Sequence, residues 1–184
     1  MATKKSKSAK IKYTALVATS IDGRIAEGAR SGTDWTSAED WKYFQSVLSK
    51  SDAVIAGFNT YKVAEAGLKK RNTIVLTSKA DKLKSQGSVI FLNPKKSNLK
   101  NFLQSKNYKN VAIVGGALVY NFCLENKIMD EIFVTIEPYI FTNGVPMFAG
   151  AKFKKHQFIL VSAKKLNKKG TFLLRYKRKE MYGN

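Results

Sequence analysis

The sequence predicts an α/β domain with a mainly parallel central sheet of about eight strands, a C-terminal antiparallel hairpin and four flanking helices. Three observations predict it. Apolar, β-branched runs bounded by turn residues alternate with short helical patterns, as crossover units do. Several runs, such as AVIA at 53–56 and VAIV at 111–114, are apolar at consecutive positions, which suits strands covered on both faces. The last two runs are joined by KKLNKKG, which has no room for a helix and so predicts a hairpin.

IKYTALVAT at 11–19 reads as the first strand, followed by a turn at Asp22-Gly23. An irregular, glycine-bearing loop at 26–33 has the character of a mobile lid over a site. SAEDWKYFQSVLS at 37–49 is a helix, opened by Ser37 in an S-x-x-D capping pattern. Its spacing aligns Asp40 with Phe44 and Val47 on the apolar side, and Glu39 with Lys42, Tyr43 and Ser46 on the polar side. A strand at 53–56 leads through Gly57 to a helix at 59–66, with Asn59 as the expected N-cap. Strands at 73–77 and 88–92, a helix at 97–106 and a strand at 110–114 follow. That strand runs directly into a helix at 117–125. Strands at 131–139, 157–163 and 171–177 complete the chain. Residues 1–10 read as a disordered basic tail and 11–180 as a single domain.

The chain has 184 residues, with 33 basic against 13 acidic side chains and a net charge of +20. Most of the excess lies at the two ends, since residues 13–150 carry only +5. Such a balance suits nucleic-acid binding or the steering of small polyanionic ligands. The first ten residues lack the interleaved aromatics that would favour nucleic acid. One cysteine, Cys123, excludes an internal disulfide framework and a cysteine-rich zinc site. One histidine, His156, excludes a histidine-cluster metal site, and neither a membrane span nor a secretory signal is legible. The expectation is a cytoplasmic protein with no metal and no membrane contact.

In sheets of this kind ligands bind beyond the carboxyl ends of the strands. Four segments there could carry chemistry. Val114-Gly115-Gly116-Ala117 lets backbone approach a ligand at a helix start, which attracts phosphate. The same dipeptide also suits a plain strand-to-helix turn. Gly57-Phe58-Asn59-Thr60 repeats that arrangement, and the pair could grip a pyrophosphate. Thr77-Ser78-Lys79 offers two hydroxyls and an ammonium to a ribose 2′-phosphate, or is an ordinary polar loop. Asp40 either points a carboxylate into an apolar cleft or merely caps its helix. His156 reads as a surface residue and Cys123 as a core thiol.

Over residues 11–177 these pieces resemble the dihydrofolate reductase superfamily. ALVATSIDGRIA resembles the opening strand and turn of that fold, and Trp35, Asp40 and Phe44 match its W-x4-D-x3-F pattern. Gly57 and Thr60 fit a G-[RK]-x-T segment, with Phe58 standing where a basic residue is usual. Arg71, before TIVLTS, resembles the arginine that holds the folate glutamate tail. Residues 114–120 resemble the cofactor segment I-G-G-x-x-[VI]-Y, and Thr135 fits the threonine that supports the acid. SIDGRIA and Asn143-Gly144-Val145-Pro146-Met147-Phe148 look more like the related riboflavin-pathway reductases.

The resemblance implies NADPH-dependent reduction of dihydrofolate to tetrahydrofolate, a step of one-carbon metabolism, with Asp40, Trp35 and Tyr120 as the catalytic set. Asp40 would orient the pterin and favour protonation at N5. Ala18, Phe44, Leu68, Arg71, Val114 and Thr135 would complete the substrate site, with Arg71 on the glutamate carboxylate. The cofactor would touch Ala18, Ile25, Gly57, Phe58, Asn59, Thr60, Thr77, Ser78, Lys79, Val114, Gly115, Gly116, Ala117, Leu118, Val119 and Tyr120. The alternatives are reduction of a diaminopyrimidine ribosyl phosphate on the same fold, and a nucleic-acid-binding protein on an inactive scaffold. Nucleic acid is the less expected partner, and monomer and homodimer both stay open.

Overall fold

The computed structural model describes residues 10–150, 152 and 154–179, so most of the expected N-terminal tail lies outside the described residues. Its strands are β1 (Lys12–Thr19), β2 (Arg24–Ala26), β3 (Ala53–Gly57), β4 (Thr73–Leu76), β5 (Leu83–Gln86), β6 (Val89–Leu92), β7 (Asn110–Ile113), β8 (Glu131–Ile136), β9 (Val145–Pro146), β10 (Phe158–Lys165) and β11 (Phe172–Arg178). The helices are α1 (Ala38–Leu48), α2 (Phe58–Val63), α3 (Glu65–Leu68), α4 (Leu99–Ser105) and α5 (Ala117–Glu125).

Nine strands form one sheet in the order β10-β11-β8-β1-β7-β3-β4-β6-β5. From β8 to β6 the neighbours run parallel, and the edge pairs β10–β11 and β5–β6 are antiparallel. All eight expected strands are present in it. β5 was not expected, because LKSQ is polar and exposed and carries no apolar alternation. The small ribbon of β2 and β9 was also not expected, since three and two residues are too few to show a period. The expected strand at 131–139 ends at Ile136, and Pro138 just beyond has no amide to extend a ladder.

The core lies on both faces of the sheet, as the consecutive apolar positions predict. Tyr13, Ala15, Val17, Ile55, Val111 and Ile113 point to the α4–α5 face. Leu16, Val54, Ala56, Ala112 and Phe133 point to the α1–α3 face. This alternation is the period of two along each strand, with both sets buried.

Two helix expectations need correction. The segment 59–66 breaks at Ala64 into α2 and α3, giving five helices among the described residues rather than four. Its N-cap is Gly57 rather than Asn59, so Asn59 stands exposed in the first turn. Helix α1 is capped as expected, with Ser37 Oγ accepting from the Asp40 amide at 3.3 Å. Tyr43 departs from the predicted polar face. Its ring lies 6.1 Å from that of Phe133, on the sheet side.

Candidate functional site

A cleft of about 1370 Å³ opens beyond the carboxyl ends of β1, β3, β4, β7 and β8. Ligand pockets commonly measure ~300–1,000 Å³, so this one has room for a cofactor and a substrate together. Leu16, Val17 and Ala18 of β1 line it, and so do residues of the 26–33 loop.

One wall is built from two adjacent strand-to-helix turns. The Gly57 amide donates to the Gly115 carbonyl at 2.6 Å, joining the turn after β3 to the turn after β7. A Cβ on Gly57 would lie 3.1 Å from Val119 and 3.5 Å from the Gly116 nitrogen, so the two turns approach as closely as they do because no side chain intervenes. Gly115 takes φ +95°, where a Cβ would sit 2.9 Å from the Tyr120 ring. The Gly115–Gly116 peptide is cis. Gly116 caps α5 without a side-chain bond, leaving first-turn amides of that helix for another acceptor. Thr60 faces Gly116, and Ala117, Leu118 and Val119 also line the cleft.

Phe58 holds the position where the family pattern has a cation, and a lysine from the loop after β4 stands beside it. Lys79 Nζ lies 5.0 Å from the centroid of the Phe58 ring. Thr77, Ser78 and Lys79 all line the cleft there, and Thr77 Oγ1 accepts the Lys79 amide at 3.1 Å. The glycine-bordered turns, the open helix start and this basic corner fit a pyrophosphate cofactor bearing a 2′-phosphate.

Helix α1 carries Asp40, the one acid that lines the cleft among the described residues. Thr135 and Thr36 hydrogen-bond its carboxyl. Burial raises its pKa above the ordinary carboxylate range, the Thr135 bond opposes this, and the nearby Glu137 charge adds to it. Phe44, Leu68 and Arg71 share the lining with it. Arg71 donates to the Leu48 carbonyl at 3.1 Å and to Gln45 Oε1 at 3.2 Å, which holds the guanidinium against the end of α1.

Ile25, Asn59 and Val114 also lie on the cleft, so of the expected site residues only Trp35 and Gly115 do not line it. Trp35 is turned onto Phe141, ring centroids 4.9 Å apart and edge to face, so the structure does not bring it to Asp40's cleft. Gly115 lies just behind the surface, with its carbonyl taken by Gly57. Tyr120 lines the cleft with its ring, but its hydroxyl donates to the Leu16 carbonyl. Burial pushes that phenol well above its ordinary pKa, and with the hydroxyl on Leu16 it is the ring that faces the cleft. Cys123 is buried in the core and its thiol is pushed up to about 12 by burial.

Sequence reasoning missed several groups here. Trp41 lines the cleft and stacks on Phe44, ring centroids 5.8 Å apart. Thr36, Gln45 and Lys70 also contribute to the lining. Glu137, fully buried beside Asp40's helix, was missed too; its one signal was an acid inside the apolar run EIFVTIEPY.

Sheet order, crossovers and the cleft define a dihydrofolate-reductase-like α/β protein, a class whose members are oxidoreductases. The family model described as Dihydrofolate reductase matches residues 12–179, and the chain belongs to that family. A relative, the uncharacterized protein YwjB of Bacillus subtilis (strain 168), is 26% identical over 162 residues, covering 84% of this chain and 87% of the relative. Acinetobacter baumannii RibD superposes with a TM-score of 0.74 at 18% identity, over 92% of this chain and 58% of that one. Dihydrofolate reductase from Enterococcus faecalis, complexed with NADP(H) and RAB-propyl, superposes with a TM-score of 0.63 at 20% identity, over 92% and 97% of the two chains. At these identities the structural likenesses are likenesses of fold. Among the described residues no helix is long and apolar enough to cross a membrane.

Proposed function

We propose that this chain reduces dihydrofolate to tetrahydrofolate with NADPH as reductant. The observation that carries the reading is Asp40. Among the described residues it is the single acid on the cleft, hydrogen-bonded by Thr135 and sharing the lining with Phe44, Leu68 and Arg71. Bound NADPH supplies the hydride, and the protein supplies binding, orientation and charge. Gly57, Thr60, Gly116 and the start of α5 would hold the pyrophosphate, and Thr77, Ser78 and Lys79 the 2′-phosphate. Ala18, Ile25 and the Tyr120 ring would border the nicotinamide.

Asp40 then accepts paired hydrogen bonds from the pterin's 2-amino group and ring N3. Thr135 and Thr36 fix the carboxyl in place from behind. Negative charge there favours a proton on the imine nitrogen N5, delivered by water. Phe44 and Leu68 pack on the aminobenzoyl ring. Arg71 presents a planar fork to the glutamate carboxylate, already oriented by Leu48 and Gln45.

A second reading, reduction of a diaminopyrimidine ribosyl phosphate, has its own observation. The two segments that resemble riboflavin-pathway reductases pair with each other as β2 and β9, and Ala26 and Val145 of that ribbon line the cleft. NADPH oxidation measured with each substrate in turn separates the readings. The folate reading also expects Arg71→Leu to weaken dihydrofolate binding by ~2–5 kcal/mol, the range for truncating one partner of a desolvated charge pair. A bare dihydropterin, which has no glutamate tail, binds both forms alike. Turnover of the ribosyl phosphate alone, or unchanged dihydrofolate affinity in Arg71→Leu, moves the second reading ahead.

A further inference from the structure

Glu137 follows β8 directly and is 2% exposed, although it carries a carboxylate. Burying such a group is costly unless hydrogen bonds meet it, and two short ones do. The Ser37 amide donates to Oε1 at 2.7 Å, and the Thr171 hydroxyl donates to Oε2 at 2.6 Å. Ser37 is the N-cap of α1, and Thr171, itself 0% exposed, lies in the turn between β10 and β11. Among the described residues no cation is ion-paired with Glu137.

Asn167 in the same turn closes a second tie. It donates to Thr171 Oγ1 at 3.0 Å and to Glu39 Oε2 at 3.2 Å, back on the first turn of α1. Thr135 and Glu137 are two residues apart on β8 and its extension, so both side chains address α1. Thr135 meets Asp40, and Glu137 meets Ser37.

We propose that Glu137 is a positioning residue that fixes the start of α1, and with it Asp40, to the end of β8 and to the β10–β11 turn. The inference rests on Asp40 being the working acid of the cleft. A neutral amide could accept the Ser37 amide through its one oxygen, but its nitrogen only donates and could not accept the Thr171 hydroxyl, so an acid meets both donors where an amide meets one. The acid also places a second carboxylate beside Asp40. The groups that meet Asp40 are Thr135, Thr36, Glu137 and, at longer range, Tyr120. Those that meet Glu137 are the Ser37 amide and the Thr171 hydroxyl, both neutral.

The test uses the full chain without substrate, so its outcome is independent of which compound is reduced. Asp40 is titrated by carboxyl carbon NMR, with Asp40→Asn to assign its signal, in wild type and in Glu137→Gln. Amide hydrogen exchange of the first turn of α1 is followed in Glu137→Ala. Glu137→Gln keeps an oxygen for the Ser37 amide although it loses the acceptor for Thr171, so exchange in the first turn of α1 changes less than in Glu137→Ala while the Asp40 midpoint moves to more acid pH. Glu137→Ala frees the Ser37 amide, and exchange there speeds about tenfold or more, the equivalent of one lost hydrogen bond. Should neither Glu137 variant fold, Thr171→Val removes the Oε2 donor and speeds the same exchange while leaving the acid in place. An Asp40 midpoint unchanged in Glu137→Gln, or first-turn exchange unchanged in Glu137→Ala and Thr171→Val, overturns the proposal.

Discussion

Asp40 is where stability and chemistry pull in opposite directions. Burial, reinforced by Glu137, makes its carboxyl hold a proton above the ordinary range. An acid that binds its proton more tightly folded than unfolded lowers stability as pH rises through that window. The cost is absent below the ordinary carboxylate pKa and complete above the folded one. Asp40→Asn therefore raises the Tm at neutral pH, and the difference from wild type shrinks as pH falls through the carboxylate range. The same variant lowers turnover by ~10²–10³, for ~3–4 kcal/mol of lost charge stabilisation, while NADPH still binds. Glu39→Gln is the control, because Glu39 is exposed and bonded to Asn167 rather than facing the cleft. Equal loss in both variants, measured as steady-state NADPH oxidation, contradicts the assignment of Asp40. Lys79 sits over Phe58 in the corner where the family pattern has a cation. Alanine at Thr77, Ser78 and Lys79 together should raise the NADPH KM and leave NADH use nearly unchanged; equal use of both cofactors by the wild type contradicts it.

Helix α1 carries the acid, and its start is held from two directions. Ser37 Oγ accepts the Asp40 amide, and Glu137 accepts the Ser37 amide. Ser37→Ala removes the first of these and should cost about 1 kcal/mol in urea unfolding, the usual worth of such a cap. Because the Glu137 contact uses the backbone of Ser37, it survives that change, and a loss far above 2 kcal/mol would mean that the two ties fail together. This helix was legible because a capping pattern and a period near 3.6 agree over eleven residues. So were the strands of the parallel core, whose neighbours bury both faces. Edge strand β5 was not, since solvent on its exposed side removes the need for apolar alternation. Glu137 escaped for a different reason. Its partners lie 100 and 34 residues away, and a buried acid imitates the polar half of a strand pattern until its contacts are seen. Trp35 fitted a family pattern, yet it stands in a loop with no period, and its packing on Phe141 is set by a segment more than a hundred positions on.

At the scale of the whole molecule the dominant quantity is a net charge of +20, against a cleft lined by one acid among the described residues. A field of this kind raises the encounter rate of polyanions without any single contact being responsible. Two readings of the charge compete, a steering field for phosphorylated ligands and a footprint for nucleic acid. They differ in what salt and competitors do. For the first, the NADPH association rate should fall steeply as ionic strength rises and the Debye length shrinks from about 30 Å at 0.01 M to about 10 Å at 0.1 M. Adenosine, which has no charge, should bind weakly and show no such slope. NADPH at 100 times its Kd should also raise unfolding free energy by about 2.7 kcal/mol, through binding to the folded chain alone. Duplex DNA at physiological salt should neither displace NADPH nor reproduce that stabilisation, since the cleft lies between strand ends and the 26–33 loop rather than on an open basic face. Stopped-flow fluorescence across a salt series, with DNA as competitor, decides the matter. A salt-independent NADPH rate together with displacement by DNA would mean that the charge serves a nucleic-acid surface and that the cleft does not draw on it.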